Sequence, residues 1–566
     1  MKTSLSTLAA LGMTMAGVLQ AQTISGAVRD STSRAFVVGV VVEMRDASGD
    51  LLSRTLTNSS GVFNVFADPR AARLKFLRIG FRPRDVRIQV DTLSGKFVDV
   101  SMARLPTMLD RMEVVAGAKC DQRTNPAGQA LLQQARAGLL ATIVGREVNP
   151  AKLVRLSYER TFSARLDTMM PSVWIDSVNE AKTTFKAARR GADLVTRGFT
   201  ADSLGTGIYF GPDAEVLLDE GFEAGYCFYV TERRGEIGLG FSPASSRRIG
   251  RVDVEGVLWI DKEARALRSL EYRYVGVGRE AEDHNVGGNL VYQEMANGTV
   301  IVSRWSLRLL KVRVDSQMYR YGRLPTGRIV VSEGGGLVAR AEWPDGTKWS
   351  TELGTLEVTA IDGESGRRVP HAEVRLRKTN FVAPANERGI ATFTSVLPGR
   401  YAVDVANREL EELGFIRDLL VVNAGPIDSA VIRPSLVLAD TGRELLMKTV
   451  DVLAGRTARQ TAPMRTTRQF ATAICQDPRT GRSSKRAILG KLAFANGNPS
   501  TFGWVYADEI RRRVQTWPGG GFAICVPDDW TGPVRVLGLS GRLRSDETRV
   551  ELEDQMTVVR LTIRPP

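Results

Sequence analysis

Between Thr23 and about Ala103, and again from Gly354 to about Pro434, short apolar runs are separated by turn-forming clusters at roughly the 8 to 12 residue spacing of β-sandwiches. Runs this short cannot carry helices of ordinary length. In the first stretch Ile24 to Val28 opens the pattern, Val37 to Met44 is rich in β-branched residues, and Asp46 Ala47 Ser48 Gly49 Asp50 makes a polar turn. Asn58 Ser59 Ser60 Gly61 makes another before Val62 Phe63 Asn64 Val65. Leu74 and Phe76 then alternate with Arg73 and Lys75, as one buried and one wet face require, until Leu77 and Ile79 shift the phase.

The second stretch repeats the scheme. Leu356 and Val358 alternate with Glu357 and Thr359, Asp362 Gly363 Glu364 Ser365 Gly366 forms a turn, and Ala372, Val374 and Leu376 alternate with Glu373, Arg375 and Arg377. Asn386 Glu387 Arg388 Gly389 precedes Ile390 to Phe393, and Leu397 Pro398 Gly399 Arg400 Tyr401 sets a tight turn followed by an aromatic that plugs the core. A third segment, from about Thr466 to Pro566, holds Trp517 Pro518 Gly519 Gly520 Gly521 Phe522 and a closing alternation of Val559, Leu561 and Ile563 with Arg560, Thr562 and Arg564.

These pieces resemble the carboxypeptidase regulatory-like domain, a small transthyretin-like β-sandwich. The resemblance rests on Ile24 to Asp30, Thr57 to Phe63 and Ile79 Gly80 Phe81 Arg82 Pro83 in the first copy, and on Asn386 to Phe393 and Leu397 to Val403 in the second. It implies an accessory, non-catalytic sandwich, and this fold resembles carbohydrate-binding modules. Leu109 Asp110 Arg111 Met112 Glu113 Val114 Val115 also resembles the segment that joins such a sandwich to the plug of TonB-dependent outer-membrane receptors. The residues after Met112 already hold a helix and two further sandwich-like units, and the chain finishes on Pro565 Pro566, which cannot donate ladder hydrogen bonds. A relative sharing only the amino-terminal module is therefore expected, with a receptor-related protein as an alternative.

Residues 120–345 form a different unit. Asn125 and Pro126 suit a helix start, Leu131, Leu132, Ala135 and Leu139 share one face, and Gly145 is expected to end the helix. Strands follow: Val154, Leu156 and Tyr158 alternate with charged and polar neighbours, Leu258 and Ile260 lead through Asp261 Lys262 Glu263 to Leu270, Tyr272 and Tyr274, and Asn297 Gly298 is a strong hairpin turn. A helix packed on a long antiparallel sheet is, by analogy alone, similar to the half-barrel of lipoprotein-localisation carriers.

At 566 residues, and about 150 residues per domain, the chain has room for roughly four domains. Lys2, an apolar stretch from Leu8 to Leu19, and Ala21 before Gln22 form the pattern of a signal peptide cleaved after Ala21, because the apolar core is shorter than the ~20 residues of a spanning helix. The formal charge is +14, with Arg511, Arg512 and Arg513 the densest run. Elsewhere opposite charges interleave as on a solvated surface, and the excess leaves open a peripheral contact with an anionic outer-membrane surface. Export argues against nucleic acid as a partner.

The chemical candidates are few. His284 and His371 are the only histidines, and neither sits in a zinc-binding spacing. No nucleophile elbow or phosphate-binding glycine loop occurs, so no catalytic, cofactor or metal residue is named and no enzyme is expected; a carboxylate pair assembled only by folding is the remaining enzymatic alternative. Export permits disulfides, and pairing inside domains is expected to join Cys120 to Cys227 and Cys475 to Cys525, with buried reduced thiols as the alternative. Phe502, Trp504 and Tyr506 recur every second residue; such a ladder could stack on sugar rings, but core filling is its expected role.

The expectation is a mainly β, multi-domain exported protein of Gram-negative type, located in the periplasm or at the outer-membrane surface. It comprises a signal peptide (1–21), a sandwich (22–105), the helix-plus-antiparallel-sheet unit (120–345), a second sandwich (354–436), a connecting helix (441–453) and a divergent sandwich (466–566). Its expected work is binding or scaffolding of an envelope protein or glycan without a cofactor. The alternative is a carrier that holds a lipid or other apolar ligand in the middle unit.

Overall fold

The computed structural model describes residues 23–89, 97–105, 126–162, 169–178, 190–201, 208–244, 251–277, 281, 284, 286–314, 327–377, 379, 381–415, 437–438, 448–475, 484, 486–517, 519–553 and 556–564. The expected signal peptide, Cys120, the receptor-like segment at Leu109 and the terminal prolines lie outside them.

The protein is mainly β and multi-domain. The first sandwich contains β1 (Thr23–Asp30), β2 (Val41–Asp46), β3 (Leu51–Leu56), β4 (Val62–Phe66), β5 (Ala71–Leu77), β6 (Arg84–Arg87) and β7 (Phe97–Met102). A three-stranded sheet of order β4-β1-β7 faces a four-stranded one of order β3-β2-β5-β6. Between them lie Ile24, Val28, Met44, Phe63, Leu74 and Phe76. The expected alternation in β5 holds, and the residue after the phase shift, Ile79, is buried against the next unit instead of the sandwich.

The middle unit starts with α1 (Pro126–Val148), which begins at the expected proline but continues through Gly145. Gly145 is inside the helix because its bare face lies against Thr299 and Leu56, where a larger side chain would crowd. Next come β8 (Lys152–Phe162), β9 (Met169–Val178), α2 (Gly191–Arg197), the short β10 (Thr200–Ala201) and β11 (Ile208–Tyr209), α3 (Ala214–Leu217) and α4 (Glu220–Gly225). Then follow β12 (Tyr226–Arg233), β13 (Glu236–Pro243), β14 (Asp253–Asp261), β15 (Ala266–Val275), β16 (Gly287–Glu294), β17 (Val300–Val314), β18 (Gly327–Glu342) and β19 (Lys348–Ser350). The sheet runs β12-β13-β14-β15-β16-β17-β18-β8-β9, with antiparallel pairing along this path. The hairpins expected after Asp261 and at Asn297 Gly298 are both present. Among the described residues β12 and β9 are its two ends and do not pair, so the sheet is open.

The next stretch of chain, which forms the second sandwich, contains β20 (Gly354–Asp362), β21 (Glu373–Leu376), β22 (Val382–Pro384), β23 (Ile390–Val396), β24 (Gly399–Val405), α5 (Arg408–Glu412), β26 (Lys448–Val452) and β27 (Thr457–Met464), with β25 (Val437–Leu438) lying in the chain between α5 and β26 but outside the sandwich. Its sheets have orders β23-β20-β27 and β22-β21-β24-β26. This corrects two boundaries. The sandwich does not stop at 436, and the stretch expected as a connecting helix over 441–453 supplies strand β26 at 448–452; residues 441–447 lie outside the described set. The sequence Lys448 Thr449 Val450 Asp451 Val452 carries a two-residue alternation with β-branched residues, and pairing with β24 satisfies its backbone. The insertion between β24 and β26 also returns β25 to the middle sheet, where it pairs parallel with β17.

The last segment opens on α6 (Thr467–Ile474), not on a strand. Thr466 and Gln469 form a capping box that the sequence displays as Thr-x-x-Gln. The sandwich follows as β28 (Arg486–Phe494), β29 (Trp504–Ala507), β30 (Arg512–Gln515), β31 (Gly521–Val526), β32 (Val534–Ser540), β33 (Leu543–Arg544), β34 (Thr548–Val550) and β35 (Met556–Ile563). In all three sandwiches the first strand is central, antiparallel to the fourth and parallel to the last. The third is therefore a repeat in topology.

The units share cores. The helix residues Leu131, Leu132, Ala135 and Leu139 pack on one face of the large sheet, and Val41, Leu56 and Ile79 of the first sandwich join the same cluster. Gln134 of α1 accepts a 2.9 Å hydrogen bond from the Gly80 N–H, and Arg54 and Arg78 of the first sandwich pair with Glu147 and Glu294. On the opposite sheet face Leu156, Tyr158, Leu337 and Ala339 are part of the second sandwich's core. Leu410, Leu413 and Phe415 of the second sandwich pack with Phe470, Leu489 and Ala523 to join it to the last.

Candidate functional site: the outer face of the last sandwich

Strand β29 decides where the aromatic ladder points. Val505 and Ala507 are fully buried in the core of the last sandwich, so the two-residue period turns Trp504 and Tyr506 outward. The expectation that these rings fill the core is thus corrected. The interior between the sheets is already taken by Phe522, Leu492 and Ile524 together with Val505 and Ala507. Phe502 leaves the ladder altogether: it occupies a left-handed turn, φ 57°, before the strand and is 41% exposed.

The neighbouring strands complete an apolar strip. Trp504 pairs with Gln515 on β30 and Leu539 on β32, while Tyr506 pairs with Arg513 and Leu537. Leu537 and Leu539 face outward because Val534 and Val536 take the inward positions of the same strand. Over the rings lies one cation: the Arg513 guanidinium is 3.7 Å from the Trp504 ring centroid and 5.1 Å from that of Tyr506. Stacking a planar guanidinium on a ring leaves its N–H edges free for an anion.

The charges around this strip are uneven. Arg535 is held by Glu509 at 2.5 Å and Glu547 at 3.3 Å, and Arg549 by Glu551 at 2.9 Å. Burial works to raise the Glu509 carboxyl, but the Arg535 side chain and backbone N–H groups outweigh it and hold it below its ordinary value. Among the described residues Arg511, Arg512, Arg513 and Arg544 have no carboxylate within ion-pair distance. An aromatic strip edged by uncompensated arginines can take a ligand with flat faces and negative charge. In the sequence the arginine run stands out only as the densest cluster of charge. The missing signal was that Arg513 and Tyr506 are cross-strand partners, which only the pairing of β29 with β30 creates.

The other candidates are placed as follows. Cys475 and Cys525 form the expected disulfide, with Cα atoms 5.4 Å apart. Cys227 is disulfide-bonded, and its expected partner Cys120 lies outside the described residues. His371 is exposed in a left-handed turn, 3.3 Å from Glu387, and His284 is half-buried. No group of metal-binding side chains occurs among the described residues.

The sheet face on which a carrier would seat its ligand is covered by α1 and by Leu194, Val216 and Phe222 of the short helices. Aromatic rings fill the space under them: Phe222 stacks on Tyr226 with centroids 3.8 Å apart, and Tyr209 meets Tyr274 edge-on at 5.1 Å. The Tyr226 hydroxyl donates to Asp253, and that of Tyr274 to the Phe210 carbonyl at 2.8 Å. Burial pushes the Tyr272, Tyr274 and Tyr292 phenols well up, so they stay protonated and neutral. No helix among the described residues is long and apolar enough to cross a membrane, which leaves membrane strands unaddressed.

No family model matches the chain, and no curated protein does. Solved structures are similar to parts of it at low identity and low TM-score. The Bacillus anthracis TIE protein is 8% identical over 74% of this chain and 52% of its own, at a TM-score of 0.13, so the chain spans about half of that protein's length. BcpA, the major pilin subunit of Bacillus cereus, is 9% identical over 78% of this chain and 99% of its own, at 0.12. A DUF1329 family protein from Desulfovibrio piger is 10% identical over 36% of this chain and 92% of its own, at 0.15.

Proposed function

We propose that the chain is an exported, non-enzymatic scaffold of the cell envelope, built from carboxypeptidase regulatory-like sandwiches that hold binding surfaces at fixed positions. One observation carries this reading: sandwiches of one topology are joined by shared apolar cores to both faces of a single sheet, and the last of them turns an aromatic and basic strip to solvent. A disulfide between Cys475 and Cys525 suits an oxidising compartment outside the cytoplasm. The carrier alternative has less support, because packed side chains occupy the sheet face it would need.

The test is native mass spectrometry of the protein purified from the envelope fraction, coupled to photocrosslinking from the last sandwich in intact cells. The scaffold reading expects a bare protein mass and reproducible neighbours on the crosslinked face. Co-purified lipid at one molecule per chain, or turnover of envelope peptides or glycans abolished by a point change, contradicts it.

A further inference from the structure

We propose that the strip centred on Trp504, Tyr506 and Arg513 is a binding site for an anionic polysaccharide. The proposal rests on the scaffold reading and names the partner of the same surface. Two features carry it: Arg513 is stacked across both rings, and neighbouring arginines lack carboxylate partners among the described residues.

The shape of the strip selects the occupant. Trp504 and Tyr506 are about 7 Å apart along their strand, and adjacent strands are about 5 Å apart, so the face offers an extended ligand contacts at regular intervals. A linear chain of sugar rings can lie across it, with ring faces on Leu537 and Leu539 and a carboxylate or phosphate at the N–H edges of Arg513, which Trp504 and Tyr506 back from beneath. Planar bidentate recognition of such anions is what guanidinium offers and ammonium does not. A bilayer surface is the weaker match, since the apolar groups of the strip are half-buried and present no wedge to the acyl region. The chain's +14 charge raises the local concentration of any polyanion, while Arg513 sets where it binds.

The probe is polygalacturonate, titrated against the full-length exported protein, with neutral dextran and phosphatidylglycerol vesicles as comparisons. Polygalacturonate is expected to bind, to weaken as salt rises from about 50 mM to about 200 mM, and to outcompete both comparisons. Arg513→Gln and Trp504→Ala are each expected to weaken binding about tenfold or more, and Arg513→Lys to recover little of the loss. Arg84→Gln, which removes the same charge from an exposed site on the first sandwich, is expected to change affinity less than about twofold. Circular dichroism and melting temperature of each variant establish that the fold is intact.

Equal losses for Arg513→Gln and Arg84→Gln overturn the site, since net charge alone then explains binding. Tighter binding of vesicles through the same residues, or no binding of polygalacturonate by the folded protein, also overturns it. In those cases bare mass and crosslinked neighbours would leave the scaffold reading standing. New reducing ends appearing in bound polygalacturonate would end the non-enzymatic reading while leaving the site.

Discussion

Asp30 and Asp362 end the first strand of their sandwiches in the same way, each accepting backbone N–H groups from the residues two and three positions ahead. Their surroundings differ. Asp362 is held below its ordinary value by Ser365 through backbone and side chain. Asp30 is buried, which works to raise its carboxyl, but the Thr32 and Ser33 N–H groups and the Arg104 side chain together bring it down to about 2. A carboxyl depressed in the folded state stabilises above its unfolded value and loses that contribution as pH falls toward the folded one. The first sandwich is therefore expected to lose about 2 kcal/mol between about pH 4 and pH 2. Denaturant titrations across that range check this, and Asp30→Asn should flatten the pH dependence while lowering stability at neutral pH.

At the scale of elements, local chemistry and packing divide the work. Asn58 and Asn386 each accept from the N–H groups two and four residues ahead, and each is followed three residues later by a glycine at φ 68° or 72°. That turn was legible because every part of it lies within five residues. The strand pair beside it was less so. Gly26 faces Phe63 and Gly490 faces Phe522, whereas the second sandwich puts Val358 opposite Ala391, a large–small exchange that keeps the sandwich thickness. A Cβ on Gly26 would lie 2.2 Å from the Val98 carbonyl oxygen, and one on Gly490 2.4 Å from that of Val559. Gly26→Ala and Gly490→Ala are each expected to cost about 1–3 kcal/mol in chemical denaturation, because a neighbouring backbone must move.

The joint before the last sandwich is another element-scale device. The side chains of Thr466 and Gln469 reach Glu364 and the Gly363 carbonyl of the second sandwich, while Cys475 at the other end of α6 is bonded to Cys525 on β31. The disulfide spans 50 residues. Replacing both cysteines by serine is expected to cost the last sandwich about 2–4 kcal/mol and to loosen its seat on the second, read as a lower unfolding midpoint and a larger small-angle scattering radius.

For the whole molecule, shared cores predict the order of unfolding. The first two sandwiches each contribute side chains to a core that also contains the large sheet or its helix, whereas the last meets its neighbour through the smaller Leu410, Phe415 and Phe470 cluster. Calorimetry is expected to show the last sandwich unfolding as its own transition, with the remaining units melting together. A single transition that Leu410→Ala leaves intact would show the coupling to be spread more widely.

The sequence by itself determined the strand-and-turn rhythm, the two clear sandwich copies, the helix start at Pro126 and the hairpins of the middle sheet, since these depend on neighbours within a few residues. Tertiary structure decided what long-range pairing alone can fix: that 448–452 is a strand of the second sandwich, that Trp504 and Tyr506 face outward, and that Arg513 lies across them. An alternating pattern specifies two faces but not which one is covered, because burial depends on the volume that distant strands have already filled.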